Sequence, residues 1–428
     1  MCGYSRRLFR TLKRNDALLV LGIVCAVVLV YARRLDVSPP TLHPDEAAAV
    51  RQAASIAHTG RDLEGRRFPL FVHLRDNVWT QPLAVYFTAL LLPIVGSSAS
   101  GVRVPSAIIA ALDVALIYLL GGRLFGRASL AWLGAALLAL APLHFIHGRL
   151  ASGAVYPVVF ILAWLLFLTA FVRYKNSWPL FASTLSLGVG FYAHQSSVLT
   201  MPAFLVLTLL TIRTLQGSLT QYGAALLGFA VPLVVLVPWF YWHYDVFRFT
   251  LGDWGLHTLA NPRDGLRYSL FSWPTMGRRS TVYWGFFSPS YLFFTGGDDL
   301  AGSTRQAGIF LGLTAIPLLY GVYHIVTARW SDPLWRVILI AFAVAPFAAA
   351  TFNDPKAAGR ALGMLPFGIL IAVAGCEALI RERAGTMRIA ALLVLLLLPI
   401  QFYRFYADYF TQYPQRWNAA FGQDVARE

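Results

Sequence analysis

The chain has 428 residues, of which 57% are hydrophobic, 14% aromatic and only 13% charged, with a formal net charge of +15. A soluble chain carries about 25% charged residues, so this composition excludes an ordinary water-soluble globule. In a soluble protein the basic excess would suggest nucleic acid; at a mean hydropathy of +0.60 it reads as charge in short loops that sets membrane topology, and no nucleic-acid partner is expected.

A basic arm (Arg6, Arg7, Arg10, Lys13, Arg14) precedes the first apolar stretch, residues 17–32. Only Arg33-Arg34 follows it, with no small-x-small cleavage site, so it reads as a retained first span. Further apolar runs at 104–121, 129–144, 155–172, 179–194, 198–212, 222–243, 306–327, 335–352, 361–379 and 389–404 read as spans. One more run, 82–95, has about 14 residues and decides the sidedness of everything after it. If it does not span, short inside loops hold ten cations (Arg123, Arg127, Arg173, Lys175, Arg213, Arg329, Arg336, Arg381, Arg383 and Arg388) against three outside (Arg149, Lys356 and Arg360). If it does span, the balance inverts to four inside against ten outside, which the positive-inside rule disfavours.

The expected architecture is therefore an all-α integral membrane domain of about eleven transmembrane helices, with 82–95 as a surface or re-entrant helix in the first external loop. The N-terminus lies inside and the C-terminus outside. Long loops 33–103 and 244–305 face outward, with the short segments 144–154, 192–197 and 353–360. No repeat divides the chain, so one domain over 1–428 is expected, with no separate C-terminal soluble domain. Cys2, Cys25 and Cys376 form neither a disulfide framework nor a zinc-ligand spacing. The absence of an Asn-x-Ser/Thr sequon fits a bacterial envelope slightly better than an endoplasmic reticulum.

The outward segments hold most of the residues able to do chemistry. His43-Pro44-Asp45-Glu46 opens a helix just after the first span, where acidic residues commonly serve as partners of the helix dipole and where a carboxylate also meets lipid headgroups. Arg103, at the mouth of the second span, is either a snorkelling cation or a phosphate clamp. His144 and His147 have metal-like spacing without a second cluster, so a divalent metal is possible but not indicated. Arg149, Lys356 and Arg360 sit against the charge rule, and an anionic ligand at headgroup depth is the simplest reason. The Gly296-Gly297-Asp298-Asp299 turn offers a possible sugar contact, and His194 stands in the outward 192–197 segment. Within the spans Asp113 is the one carboxylate away from a helix end, so no proton-relay chain is visible.

Taken in order, these motifs resemble a known family. An Asp-Glu pair follows the first span, then Thr59-Gly60-Arg61-Asp62 with Gly65 and Pro69, then Pro82-Leu83 with Tyr86. Arg103-x-Pro105-Ser106, Arg123-Leu124-Phe125-Gly126, His147-Gly148-Arg149-Leu150-Ala151, Phe287-Ser288-Pro289 with Gly297-Asp298, and Arg360-Ala-Leu-Gly-x-x-Pro366 complete the series. Over roughly residues 40–410 this is similar to the bacterial branch of the protein O-mannosyltransferase and aminoarabinose transferase family, in the GT-C glycosyltransferase superfamily. The resemblance implies a polyprenyl-phosphate-linked sugar donor, membrane lipid around it, an extracytoplasmic acceptor, and an inner-membrane enzyme working on the periplasmic face. It implies Asp45 as catalytic carboxylate with Glu46 beside it, and external cations on the donor phosphate, with no nucleotide cofactor. Two departures stand out. The aminoarabinose pattern has a lysine where this chain has Thr80, which leaves Arg75 as a substitute, and 151–154 lacks the acidic residue that usually follows the loop arginine. A lipid-linked saccharide transporter would need midplane charges and repeated halves, which are not seen. A lipid-linked polysaccharide polymerase or ligase is a closer alternative.

Overall fold

The computed structural model describes residues 14–75, 78–244, 246, 273–351, 357–382 and 385–425. Helix α1 (Arg14–Tyr31) is followed by an irregular segment and α2 (Pro44–Thr59), then a two-stranded hairpin, β1 (Val72–Arg75) and β2 (Val78–Thr80). Next come α3 (Pro82–Val95), α4 (Ala99–Phe125), α5 (Ala128–Ala139), α6 (Pro142–His147), α7 (Tyr156–Tyr174), α8 (Ser177–Gly190), α9 (Ser197–Thr214), α10 (Leu219–Leu233) and α11 (Leu236–Trp242). The second half holds α12 (Trp273–Gly285), α13 (Ala315–Ala328), α14 (Pro333–Val344), α15 (Phe347–Thr351), α16 (Met364–Arg381), α17 (Gly385–Thr411) and α18 (Tyr413–Val425).

Among the described residues, seven helical stretches are long and apolar enough to cross a bilayer: Ala99–Phe125, Tyr156–Tyr174, Ser197–Thr214, Leu219–Trp242, Pro333–Thr351, Met364–Arg381 and Ala391–Thr411. The molecule is a multi-pass, all-α membrane protein. The sequence expectation was about eleven spans, and the remaining expected runs form shorter helices for local reasons. The 129–144 run breaks after Ala139, because Pro142 at the start of α6 cannot donate into a continuing helix. Helix α3 has 14 residues, or about 21 Å of rise, short of a hydrocarbon core of about 30 Å. It packs its Val85 and Ala89 face on Ala53 and Ile56 of α2 and leaves Leu90 and Ile94 exposed.

The core is built around α16, whose residues 364–379 are all buried. Gly321 of α13 and Gly375 of α16 make the closest approach: a side chain at either would run into the Ile371 or Pro317 carbonyl of the opposite helix. Two apolar helices can meet at that distance only through such small residues. Along the other edge, an aromatic ladder at i, i+4 spacing (Phe405, Tyr409, Tyr413, Trp417, Phe421) runs from α17 into α18. This ladder reaches back to the segment after α1. Ser38 donates to the Tyr409 carbonyl at 2.6 Å, and Trp417 Nε1 donates to Thr41 Oγ1 at 2.9 Å.

Candidate active-site cavity

Asp45 is placed by its helix start. His43 is the N-cap of α2, and Asp45 N–H donates to His43 Nδ1 at 3.3 Å. Glu46 closes a capping box by accepting from His43 N–H at 2.9 Å. The two neighbouring carboxylates then diverge. The Asp45 side chain is 41% exposed, with Oδ2 3.8 Å from His43 Nδ1. Glu46 is 2% exposed, and its other oxygen accepts from Ala151 N–H at 2.6 Å. Arg103 completes the set, with Nη2 3.2 Å and Nε 3.4 Å from the two Glu46 oxygens.

Asp45 lines a cavity of about 950 Å³ whose wall is assembled from distant stretches of chain. The start of α2, the hairpin (Val78, Thr80), α3 (Ala84, Val85, Thr88) and the end of α6 with its following loop (His147, Leu150–Ala154) form one part. His194 and Gln195, the Asp298–Gly302 turn, and Ala357–Arg360 form the rest. Gln195 fastens its own turn to the hairpin by donating to the Trp79 carbonyl at 2.8 Å. Ser196 N–H donates to His194 Nδ1 at 3.3 Å, which leaves Nε2 to carry the proton of the neutral ring. His147 is 4% exposed, and neither ring nitrogen makes a well-formed hydrogen bond, with only a weaker polar contact to the Gly302 backbone. Burial pushes its pKa down to about 4, against a smaller opposing pull from the backbone of Gly302, so it is neutral at pH 7.

Of the residues singled out in the sequence, Asp45, Glu46, His147, His194, Asp298 and Arg360 meet around this one cavity. Two arginines do not. The sequence offers Arg103 as a snorkelling cation or a phosphate clamp and Arg149 as an anion contact, but both are fully buried with other partners. Arg103 donates from Nη1 to the Leu35 and Pro39 carbonyls (2.8 and 2.7 Å) and from Nη2 to that of Thr41 (2.8 Å), in addition to its Glu46 pair. Arg149 donates from Nη1 to the Tyr31 and Arg33 carbonyls (2.5 and 2.8 Å) and from Nη2 to those of Arg34 and Ser38 (both 3.0 Å). The rings of Phe145, Tyr409 and Phe410 surround the Arg149 guanidinium. A helix end and an irregular turn carry carbonyls with no ladder partner, and two five-donor forks satisfy seven of them here. These cations fold the chain between α1 and Asp45.

Arg75 lies in β1, and its side chain is outside the described residues, as is Lys356. Among the described residues no three His, Cys, Asp or Glu side chains gather as a metal site. Sequence reasoning missed His43 as the cap that aims Asp45 and Gln195 as a wall residue; the His-x-x-Glu capping spacing was the available signal for His43.

Comparison with known proteins agrees with this architecture. The archaeal oligosaccharyltransferase AglB from Archaeoglobus fulgidus, solved with an inhibitory peptide and a dolichol-phosphate, superposes with a TM-score of 0.56 at 13% identity. The match covers 93% of this chain and 56% of that one. The same archaeal enzyme tethered to an acceptor peptide gives 0.52 at 13% identity, over 94% and 56% of the two chains. This is the GT-C fold. Residues 80–242 also match the family model described as dolichyl-phosphate-mannose-protein mannosyltransferase, which agrees with the resemblance read from the motifs. ArnT from Cupriavidus metallidurans, bound to undecaprenyl phosphate, aligns at 17% identity with a TM-score of 0.49, over 95% of this chain and 76% of that one. No curated protein matches the sequence. The present chain spans little more than half the length of the oligosaccharyltransferase it superposes on.

Proposed function

We propose that this GT-C protein is an inverting glycosyltransferase that moves a sugar from a polyprenyl-phosphate donor to an acceptor outside the cytoplasm. The observation that carries this reading is the shared cavity, which Asp45 lines from the start of α2 and Arg360 from the short helix Ala358–Ala361. Asp45 takes the proton of an acceptor hydroxyl or amine as that group attacks the anomeric carbon; the bond from that carbon to the phosphate oxygen breaks. Arg360 balances the charge growing on the departing lipid phosphate, a stabilisation that strengthens in a site shielded from water. Glu46 is the positioning residue: its oxygens are occupied by the cap, Ala151 and Arg103, which fixes the helix start that carries Asp45. Arg75 and Lys356 are further candidate phosphate contacts. The charge balance of the short loops supports an inner-membrane protein with this cavity facing away from the cytoplasm. A fold shared with an enzyme solved with dolichol-phosphate supports the donor class.

The test is Asp45→Asn in the full chain, reconstituted with glycosylated polyprenyl phosphates and a membrane extract as acceptor source. The variant is expected to fold and insert normally and to lose about 10²- to 10⁴-fold in polyprenyl-phosphate release, the usual worth of a general base. Release at the wild-type rate would remove Asp45 from the chemistry.

A further inference from the structure

His147 has a feature the mechanism above does not use. It is 96% removed from solvent, it lines the cavity, and neither ring nitrogen makes a well-formed hydrogen bond, the Gly302 backbone offering only a weaker contact. Leaving buried polar atoms poorly paired is costly, so a wall that needed only bulk would carry an apolar side chain. The surrounding backbone is shaped to admit the ring. A methyl group on Gly302 would lie 3.3 Å from Nε2, and one on Gly359 would lie 3.2 Å from Cε1.

Resting on the reading of the cavity as a polyprenyl-phosphate-sugar site, we infer that His147 binds a hydroxyl of the donor's sugar. Three features favour the sugar over the phosphate. A neutral imidazole has one donor and one acceptor, which matches a hydroxyl, whereas a phosphate has acceptors and calls for a cation. The cation is adjacent, since Gly359, against the ring, is bonded to Arg360. The sugar is bonded directly to the phosphate, so its hydroxyls lie within a few ångströms of whatever Arg360 holds. The remaining wall beside the ring, the Asp298–Gly302 turn, is acidic and would repel a phosphate while accepting hydroxyl hydrogens.

Binding to the purified full chain in nanodiscs tests this with two kinds of probe. One is undecaprenyl phosphate; the other is a panel of undecaprenyl phosphates carrying a hexose, a pentose or an N-acetylhexosamine. His147→Leu removes both nitrogens, and because neither makes a well-formed bond the variant should fold as well as the wild type; His147→Gln restores a donor and an acceptor. At least one glycosylated lipid is expected to bind the wild type more tightly than the bare lipid. His147→Leu should weaken that lipid roughly tenfold, about one hydrogen bond, while the bare lipid stays within about twofold. His147→Gln should recover part of the loss, and Arg360→Ala should weaken both lipids. Equal losses on both lipids in His147→Leu would overturn the sugar contact. So would a wild type that gains nothing from any sugar while still binding the bare lipid, an outcome that leaves the lipid-phosphate reading standing. Failure of the wild type to bind either lipid sinks both.

Discussion

Arg149 and His147 are two residues apart, both are buried, and they are bonded in opposite ways. The guanidinium faces away from the cavity and holds four backbone carbonyls of the segment after α1. The imidazole faces the cavity and makes no well-formed hydrogen bond. Between them the short α6 and its turn separate a part of the molecule that only supports from a part that has capacity left over. His144, on the same helix, belongs with the support: its Nε2 lies 3.3 Å from Asp113 Oδ2, and its Nδ1 lies 2.9 Å from the Tyr31 hydroxyl. A buried polar side chain that holds several backbone carbonyls is evidence of architecture, and one that makes no well-formed bond and faces a cavity points to a ligand. Closeness in sequence does not separate the two.

The sharpest way to break this contrast is Arg149→Met. The substitution keeps the volume of the stem but strands four carbonyls beside an aromatic cage. A destabilisation of about 3–5 kcal/mol is expected, large enough to abolish recovery of monodisperse protein. Arg149→Lys should rescue little, because a compact ammonium cannot serve four acceptors arranged for a planar fork. A folded, stable Arg149→Met with impaired lipid binding would return this arginine to the ligand site.

Glu46→Gln comes next in size. The amide keeps the shape, but its single oxygen can accept from only one of Ala151 and the cap, its NH2 faces the other donor, and the charge opposite the fully buried Arg103 is gone. About 2–3 kcal/mol of stability should be lost, with the remaining activity per folded molecule only modestly reduced. Asp45→Asn should show the reverse pattern, little loss of stability and a large loss of turnover. Identical behaviour of the two variants, measured by thermal unfolding and donor turnover together, would erase the distinction between the two carboxylates.

Much of this was readable in the chain itself. Apolar runs of bilayer length marked the helices, and in a chain with only 13% charged residues the polar segments between them were few enough to point to Asp45, His147, His194, Asp298 and Arg360 together. The roles of Arg103 and Arg149 were not readable. Their acceptors are main-chain carbonyls 62–118 residues away, and a carbonyl looks the same in every sequence. Glu46 was half readable, since a residue three positions after a helix cap is where a capping-box carboxylate sits. The lengths of the helices were blurred by prolines such as Pro142, which end a helix inside an apolar run that hydropathy alone reads as continuous.

The smallest expected effect tests the cavity-facing half of the contrast through pH. Burial lowers the folded pKa of His147 from 6.5 to about 4. In the unfolded chain the ring gains a proton near pH 6.5, while in the folded protein it resists until about pH 4, so between those values the unfolded state binds more protons. The stability tied to the neutral ring is therefore complete above about pH 6.5 and is lost as the pH falls toward 4, to a total of roughly 2–3 kcal/mol. The other histidines titrate in every variant, so the informative quantity is the difference between wild type and His147→Gln in unfolding temperature at pH 7.5 and at pH 4.5. The wild type should fall several degrees further than the variant over that interval. Parallel curves would mean that the ring already has a proton-tolerant partner, and the case for a ligand-facing imidazole would lose its physical basis.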